Sequence, residues 1–386
     1  MIRDEKDLAN LLESVRRFVR EVAIPNEERV ERENAIPAEI VAQMRRLGLF
    51  AWSIPEEYGG AGLTTEELCL ANMEISQCAV AYRARAGTNT GIGAEAIIQE
   101  GTSEQKKSYL PRLASGEMTG CLAVTEPEAG SDLLGGLATV ATAQGGDWVL
   151  NGTKRYITNA PIADLFTVLA RTDPANRGGS GTTCFLVERG TPGLSIGPEH
   201  KKMGQEGSPV SEVYLNDCRV SAAAVLGGVP GTGFRAVMKS LNKQRINLAS
   251  LCTGPAIRLL DEGLRHALAR KQGGKSIGEF QLVQAMLADC KVEISAARAL
   301  ILETARKRDR GEDVTMDVSM CKYYASEMAG RVADRVVQIF GGAGYCEDIG
   351  GSVPRFYRDV RLFRLYEGTS QIHQLNIARH LLRGER

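Results

Sequence analysis

The sequence predicts a mainly helical protein with a small β domain in the middle of the chain. Apolar residues recur at three- and four-residue spacing in both terminal parts, as on the buried face of a helix. The middle part instead holds short runs of β-branched and aromatic residues between glycine-rich turns. Aromatic residues make up only 5% of the chain, while alanine and leucine are plentiful, which disfavours an all-β fold. We therefore expect three domains, at residues 1–120, 121–230 and 231–386.

The N-terminal domain shows two clear helix signals separated by loops. One apolar face is formed by Leu8, Leu11, Val15, Phe18 and Val19, and a second by Ile40, Met44, Leu47 and Leu49. The glycine-rich segment Pro55–Gly62 then predicts a loop.

The middle domain is predicted as a compact, barrel-like β domain. Six segments have the composition of strands: CLAVTEP, ATVATAQ, DWVLNGTKRYITN, LFTVLART, TTCFLVE and SEVYLNDCRV. Asn151-Gly152 stands between WVL and TKRYI, and such a pair between strand-like runs favours a two-residue turn. We therefore expect a hairpin at Asn151-Gly152.

The C-terminal domain is predicted as a bundle of long amphipathic helices joined by short loops. One apolar stripe runs through Val283, Met286, Leu287, Cys290, Ile294, Ala297 and Ile301, and another through Ala325, Met328, Val332, Val336 and Ile339. The segment Gly231–Ala236 matches a G-x-G-x-x-A pattern, but helices follow it where a dinucleotide-binding fold needs another parallel strand. A nicotinamide cofactor is therefore not expected.

Composition and charge exclude several classes of function. Lysine plus arginine and aspartate plus glutamate both number 47, and this zero net charge gives no support to a nucleic-acid partner. No apolar run approaches the roughly 18 residues of a membrane span, and the charged N-terminus lacks the features of a signal or transit peptide. Nine cysteines occur singly and four histidines show no metal-ligand spacing. These features predict a cytoplasmic protein with reduced cysteines, mostly in the core.

A short turn near the C-terminus, Tyr366–Ser370, places a carboxylate between two apolar segments. Thr369 or Ser370 is suited to cap the helix that follows. Glu367 then has two interpretations: it complements the dipole of that helix, or it reaches into a cleft as a proton acceptor.

Three further loops have both an ordinary and a ligand-binding interpretation. Val124–Asp132 is either a plain turn after a strand or a set of hydroxyls and amides for a polar ring edge or a phosphate. Arg270–Lys275 either completes a helix end or provides a cation for a pyrophosphate. Gln338–Gly344 either ends a helix or lets the backbone approach a ligand closely.

These motifs occur in one order along nearly the whole chain: VTEPEAGSD, RYITN, ARKQGGK followed by FQ, QIFGGAG and YEGTSQ. Together they resemble the acyl-CoA dehydrogenase family. The resemblance implies an N-terminal helical domain, a central β domain and a C-terminal four-helix bundle. It further implies FAD as cofactor, dehydrogenation of an acyl-CoA thioester to the trans-2-enoyl-CoA, electron transfer to an electron-transfer flavoprotein, and a place in fatty acid metabolism.

The resemblance also implies roles for individual residues. Glu367 matches the base that removes the α-proton, while the β-hydrogen leaves as hydride to the flavin. The positions that match FAD contacts are Leu122, Val124, Thr125, Ser131, Tyr156, Thr158, Arg270, Gln281, Gln338, Gly341, Gly342, Thr369 and Gln371. The positions that match contacts to the CoA ester are Ser131, Asn242, Arg245 and Gly368. Because Gln338–Gly342 match residues that reach the FAD of a neighbouring subunit, a homo-oligomer, usually a tetramer, is implied.

The sequence departs from the family pattern at several positions. Some members carry the base where this chain has Gln244, which cannot accept a proton as a carboxylate does, and this favours Glu367. Tyr156 stands where many members of the family have a tryptophan. Gly273 stands where a phenylalanine is usual, and Asn242 where an acidic residue is common.

Arg83 and Arg85 lie where the family places a helix beside the acyl tail. Either one of them faces the pocket and favours a polar or carboxylated acyl chain, or both form ion pairs at the surface or an interface. Rival functions are a glutaryl-type decarboxylating dehydrogenase, an oxygen-using flavoenzyme of the same fold, and a non-catalytic member that binds flavin or nucleic acid.

Overall fold

The computed structural model describes residues 1–383, and residues 384–386 of the predicted C-terminal domain lie outside the described residues. The N-terminal region is helical. Its helices are α1 (Glu5–Phe18), α2 (Glu27–Glu33), α3 (Ala38–Arg46), α4 (Thr65–Ile75), α5 (Val80–Gly87), α6 (Glu95–Glu100) and α7 (Ser103–Ala114). Capping boxes, Thr64 with Glu67 and Thr102 with Gln105, fix the starts of α4 and α7.

The middle region is a seven-stranded curled sheet. Its strands are β1 (Gly120–Ala123), β2 (Val140–Gln144), β3 (Asp147–Thr158), β4 (Leu165–Arg171), β5 (Thr182–Glu188), β6 (Leu194–Glu199) and β7 (Val210–Ser221). All of β4 is buried because its alternating side chains enter two cores. Leu165 and Leu169 join a core that includes helix residues of the N-terminal region, while Phe166 and Val168 join the core of the sheet.

The predicted hairpin at Asn151-Gly152 is wrong, because both residues lie inside the continuous strand β3. The turn is Gly145-Gly146, between β2 and β3, where φ is 64° and 90°. Two positive φ angles are typical of a two-residue hairpin turn. Gly152 instead lies at a register shift with a φ of 156°, and a Cβ there would come within 2.3 Å of Thr139 Oγ1. Close packing against Thr139 therefore explains this glycine.

Four long helices form the C-terminal bundle: α8 (Gly233–Ala269), α9 (Gln281–Asp309), α10 (Thr315–Phe340) and α14 (Ser370–Arg383). A short ribbon, β8 (Lys271–Gln272) and β9 (Lys275–Ser276), joins α8 to α9. Between α10 and α14 lie α11 (Gly342–Tyr345), α12 (Glu347–Gly350) and α13 (Ser352–Arg361). The two stripes predicted from the sequence meet in one core, with Cys290, Ile294, Ala297 and Ile301 against Ala325, Met328, Val332 and Val336.

The predicted architecture of a helical region, a central sheet and a helical bundle is therefore confirmed. All nine cysteines are free and eight are buried, with Cys346 exposed, as expected for core thiols. Within residues 1–383, no helix is both long and apolar enough to span a membrane.

Candidate active site

One cavity is lined by all three regions of the protein, and Glu367 stands in its wall. The cavity measures about 1360 Å³ when its open mouth is included. Apolar residues from two regions form much of the lining: Val80, Ile92, Val237, Leu241, Leu248 and Leu251.

The Tyr366–Ser370 turn delivers Glu367 to the cavity. Glu367 and Gly368 both have positive φ angles, of 53° and 96°. The amide of Ile372 donates a hydrogen bond to Thr369 Oγ1 at 3.3 Å, so Thr369, one of the two caps that the sequence allowed, caps α14. Glu367 Oε2 is buried and accepts no hydrogen bond from residues 1–383. A buried polar atom in that state is costly, which is typical of a group that meets a ligand.

The protonation of Glu367 is set by burial opposed by three cations. Burial raises the pKa of Glu367 to about 7, while Lys322, Arg83 and Arg245 act in the opposite direction. A carboxylate with a pKa near neutrality is well suited to general base catalysis, because it is available as a base and still binds a proton strongly.

Two residues that the sequence analysis did not single out hold the backbone of this turn. Lys322 Nζ donates a hydrogen bond to the carbonyl oxygen of Gly368 at 2.6 Å, and His373 Nε2 lies 3.2 Å from the carbonyl oxygen of Glu367. Both side chains are fully buried. A signal was present in the sequence: Lys322 lies four residues after Val318 and three before Ala325, in phase with the buried face of α10.

A second wall of the cavity is suited to a flat ring. Tyr156 has a φ of 59° at a register shift between β3 and β7, and its side chain is 62% exposed although it lies in a strand. Such an irregularity redirects a side chain out of the normal alternation of a strand. Tyr156, Thr158, Leu122, Val124 and Thr125 all line the cavity. An exposed aromatic ring beside apolar and hydroxyl groups fits the face of a flavin.

The loop that carries Val124 and Thr125 is anchored from beneath by a buried ion pair. Lys154 Nζ donates to Glu126 Oε1 at 2.7 Å, and both side chains are almost completely buried. The same carboxylate accepts the amides of Ala138 and Thr139, at 2.7 and 3.1 Å. Burying both charges is favourable only with this full set of hydrogen bonds.

The third wall contains polar groups without protein partners. Arg83 is 5% exposed, yet within residues 1–383 its sole hydrogen bond is from Nε to Asn72 Oδ1, at 2.7 Å, and it forms no salt bridge. Burial lowers the pKa of Arg83 to about 10, so it remains charged at neutral pH. Gln244 Oε1 accepts from Asn247 Nδ2 at 3.1 Å, while Gln244 Nε2 and Asn247 Oδ1 are buried with no partner among the described residues.

Arg85 lies outside this cavity, in contrast to Arg83. Its Nη1 donates to Thr119 Oγ1 at 2.9 Å, and its guanidinium carbon lies 5.3 Å from the centre of the Phe50 ring. The structure therefore gives no support to the predicted contact of Arg85 with substrate.

The other predicted site residues are distributed as follows. Gly368 lines the cavity, whereas Ser131 is exposed on the loop beside the lining residue Gly130. Arg245 is buried and donates from Nη1 to Asn242 Oδ1 at 2.7 Å, and Asn242 borders a separate groove. The remaining predicted FAD residues lie outside the cavity lining, and all except the half-buried Thr369 are exposed: Arg270, Gln281, Gln338, Gly341, Gly342, Thr369 and Gln371.

Comparisons with known proteins identify the family of this chain. Family models of the acyl-CoA dehydrogenase N-terminal, middle and C-terminal domains match residues 5–117, 121–218 and 231–382. The human mitochondrial short-chain specific acyl-CoA dehydrogenase is 38% identical over 97% of this chain and 90% of its own. The structure of butyryl-CoA dehydrogenase from Megasphaera elsdenii is similar at a TM-score of 0.94 and 33% identity, covering 99% of this chain and 100% of that one. The structure of a glutaryl-coenzyme A dehydrogenase in complex with glutaryl-CoA is similar at a TM-score of 0.92 and 35% identity. The similarity covers 99% of this chain and 97% of that one.

The chain belongs to the acyl-CoA dehydrogenase family and is an oxidoreductase that acts on CH–CH bonds. Its cofactor is FAD. The lining residues fit that cofactor, because the exposed ring of Tyr156 stands at the cavity wall beside the apolar and hydroxyl side chains of Val124, Thr125 and Thr158.

Proposed function

We propose that the protein dehydrogenates an acyl-CoA thioester whose acyl chain carries an anionic group, and that it passes the electrons to an electron-transfer flavoprotein. One observation carries the proposal: the unpartnered Oε2 of Glu367 and the unpaired Arg83 belong to the same cavity as the flavin wall. The base and an anion-binding group therefore lie within reach of one ligand.

Glu367 is the proposed base. A C–H bond next to a thioester carbonyl is weakly acidic, so its cleavage needs an ionised base and a donor for the developing oxyanion. Glu367 is about half ionised at pH 7, since burial raises its pKa to about 7. By resemblance, the backbone N–H of Glu367 donates to the thioester oxygen, and FAD when bound accepts the β-hydrogen as hydride.

The FAD-binding residues fall into two proposed groups. Leu122, Val124, Thr125, Tyr156 and Thr158 hold the ring system, because they form one wall of the cavity. The exposed residues, including Arg270, Gln281 and Gln338, hold the pyrophosphate and adenine side, part of it across a subunit interface. Ser131, Asn242, Arg245 and Gly368 are proposed for the CoA ester.

Arg83 is the proposed determinant of the acyl group. A buried guanidinium with no carboxylate of residues 1–383 at salt-bridge distance is costly, and an anionic acyl chain lowers that cost. Gln244 Nε2 is a second free donor in the same cavity. The remaining lining is largely apolar, so a short carbon chain ending in a carboxylate matches it best.

The assembly and its partner rest on the family resemblance. We infer a homo-oligomer, with a tetramer as the expected state, because residues matched to FAD contacts lie exposed on a single chain. A cytoplasmic location and an electron-transfer flavoprotein as acceptor complete the proposal.

Anaerobic titration of the purified yellow protein with acyl-CoAs tests the proposal. A carboxylated acyl-CoA should bleach the flavin of the native protein more rapidly than a plain one. Glu367→Gln should retain flavin and abolish bleaching, because an amide cannot accept the α-proton. The control Glu57→Gln replaces an exposed glutamate and should bleach normally.

Three outcomes would contradict the proposal or part of it. Normal bleaching in Glu367→Gln would exclude it as the base. Rapid reoxidation of the reduced protein by air would favour the oxygen-using alternative. A product that has lost carbon dioxide would favour the glutaryl-type decarboxylating reaction.

A further inference from the structure

We propose that Lys322 and His373 are positioning residues that fix the catalytic carboxylate by holding the two carbonyl groups of Glu367 and Gly368. The proposal rests on the proposed role of Glu367 as the base. It assigns a function to two buried polar side chains that are not themselves part of the cavity lining but contact the backbone of two lining residues.

Lys322 is an unusual residue for the core of a helical bundle. Its side chain is fully buried on α10, and it forms no salt bridge with any of residues 1–383. Its hydrogen bond partner is the carbonyl oxygen of Gly368, 2.6 Å from Nζ. Because a buried ammonium group with no carboxylate at salt-bridge distance is costly, its presence here indicates a specific task at that carbonyl.

His373 lies on the first turns of α14 and holds the neighbouring carbonyl. Its Nε2 is 3.2 Å from the carbonyl oxygen of Glu367, which can only accept a hydrogen bond, so Nε2 carries the proton. Burial, together with Lys322 and Arg245, lowers the pKa of His373 to about 3. The ring is therefore neutral at working pH, and the hydrogen bond fixes its tautomer.

The two contacts act on a strained part of the backbone. Glu367 has a φ of 53°, a left-handed conformation that is strained for a non-glycine residue. A peptide group is planar, so holding its carbonyl oxygen also fixes the direction of the whole group. Holding both carbonyls therefore fixes the backbone from which the Glu367 side chain projects. At Gly368, a Cβ would come within 3.0 Å of His373 Nε2, so a glycine is needed there.

Lys322 also acts on Glu367 through its charge. The groups that face this carboxylate from the surrounding elements are Arg83 on α5, Arg245 and Cys252 on α8, Lys322 on α10, Tyr366 in the turn and the neutral His373 on α14. Of the three cations, Lys322 lowers the pKa of Glu367 most. Removing its charge raises that pKa, so the carboxylate becomes protonated at a higher pH and loses its function as a base there.

The pH dependence of kcat/KM tests the role of Lys322. In Lys322→Met, the acid limb of the profile should move to higher pH by about one unit, since a nearby opposite charge shifts a carboxyl pKa by about 1–3 units. Lys322→Gln keeps a hydrogen bond donor without the charge. Lys322→Gln should show the same shift of the acid limb as Lys322→Met, with a smaller loss of kcat. If Lys322→Met does not fold, Lys322→Gln alone tests the role of Lys322.

Variants of His373 separate the hydrogen bond from the charge. His373→Leu should lower kcat while the acid limb stays in place, because the native ring is neutral. His373→Gln, which retains a donor, should recover part of kcat. Flavin content and KM should stay close to the native values in both His373 variants, since His373 is not part of the cavity lining.

The control is Lys307→Met, which removes a lysine paired with Asp317 on the surface of the bundle. An unchanged acid limb in both folded Lys322 variants, or native kcat in His373→Leu, would overturn the proposal. Those results would leave the proposed function intact as long as Glu367→Gln fails to bleach. Normal bleaching in Glu367→Gln would remove the basis of both.

Discussion

Single residues in the cavity show how distant parts of the chain tune one carboxyl group. Burial disfavours the ionised form of Glu367, while Arg83, Arg245 and Lys322 favour it. These three cations lie on three different helices, so they surround Glu367 only when the three helices pack together. The family resemblance indicated Glu367, and helical spacing indicated only that Lys322 is buried. Tertiary packing alone brings the three cations to the carboxylate, so local spacing could not show that they act on it.

The proposed contact of Arg83 with the acyl chain predicts how its replacement changes substrate preference. Arg83→Met should lower kcat/KM for a carboxylated acyl-CoA by at least about 30-fold, because losing one partner of a buried charge pair costs about 2–5 kcal/mol. The value for a plain acyl-CoA should fall much less, because that chain has no carboxylate to lose and only the higher pKa of Glu367 acts on it. Steady-state kinetics with the two substrates measure the change in preference.

Arg85→Met is the matched control for Arg83→Met. Arg85 lies two residues away on the same helix but outside the cavity, so the preference should remain native. Equal preference in Arg83→Met and the native protein would show that Arg83 does not bind the acyl group.

Among the elements, β3 contributes most to the flavin wall. Its twelve residues place Lys154 inward under one loop and Tyr156 outward at a register shift. The sequence predicted strand-like runs here with a turn between them at Asn151-Gly152, whereas the structure has one continuous strand. The sequence could not predict the register shift or the true turn, because Gly152 is explained by contact with Thr139 and not by a local turn.

The buried ion pair between Lys154 on β3 and Glu126 predicts how the loop beside the flavin wall is stabilised. Lys154→Met leaves Glu126 buried without its cation, and breaking such a pair typically costs about 3–5 kcal/mol. The loop with Val124 and Thr125 should then lose its support, so flavin content should also fall. Chemical unfolding gives the free energy, and absorbance at the flavin and protein bands after desalting gives the content.

Arg155→Met offers a control on the same strand. Arg155 pairs with Glu212 near the surface, where an ion pair contributes about 0–1 kcal/mol. Equal losses of stability in the two variants would contradict a special role for the buried pair.

The whole molecule leaves a number of apolar side chains exposed on its C-terminal helices. Leu268 is 65% exposed, Leu282 81% and Tyr345 85%, and they lie near the predicted FAD residues Arg270, Gln281 and Gly342 in sequence. Large apolar side chains with this degree of exposure are expected where another surface covers them. This exposure supports the homo-oligomer, for which the sequence offered only the family resemblance.

Introducing charge at these side chains tests the oligomer. In Leu282→Glu combined with Tyr345→Glu, the mass in solution measured by light scattering should fall below the native value, because charges are costly in a buried interface. Flavin content should fall with it, since Gln281 and Gly342 stand beside the two substitutions and are proposed to bind FAD across the interface. Lys107→Glu, on the exposed side of α7, should change neither quantity. A native mass with lost flavin would place these residues at a cofactor site within one chain, and a native mass with native flavin would exclude this face as the interface.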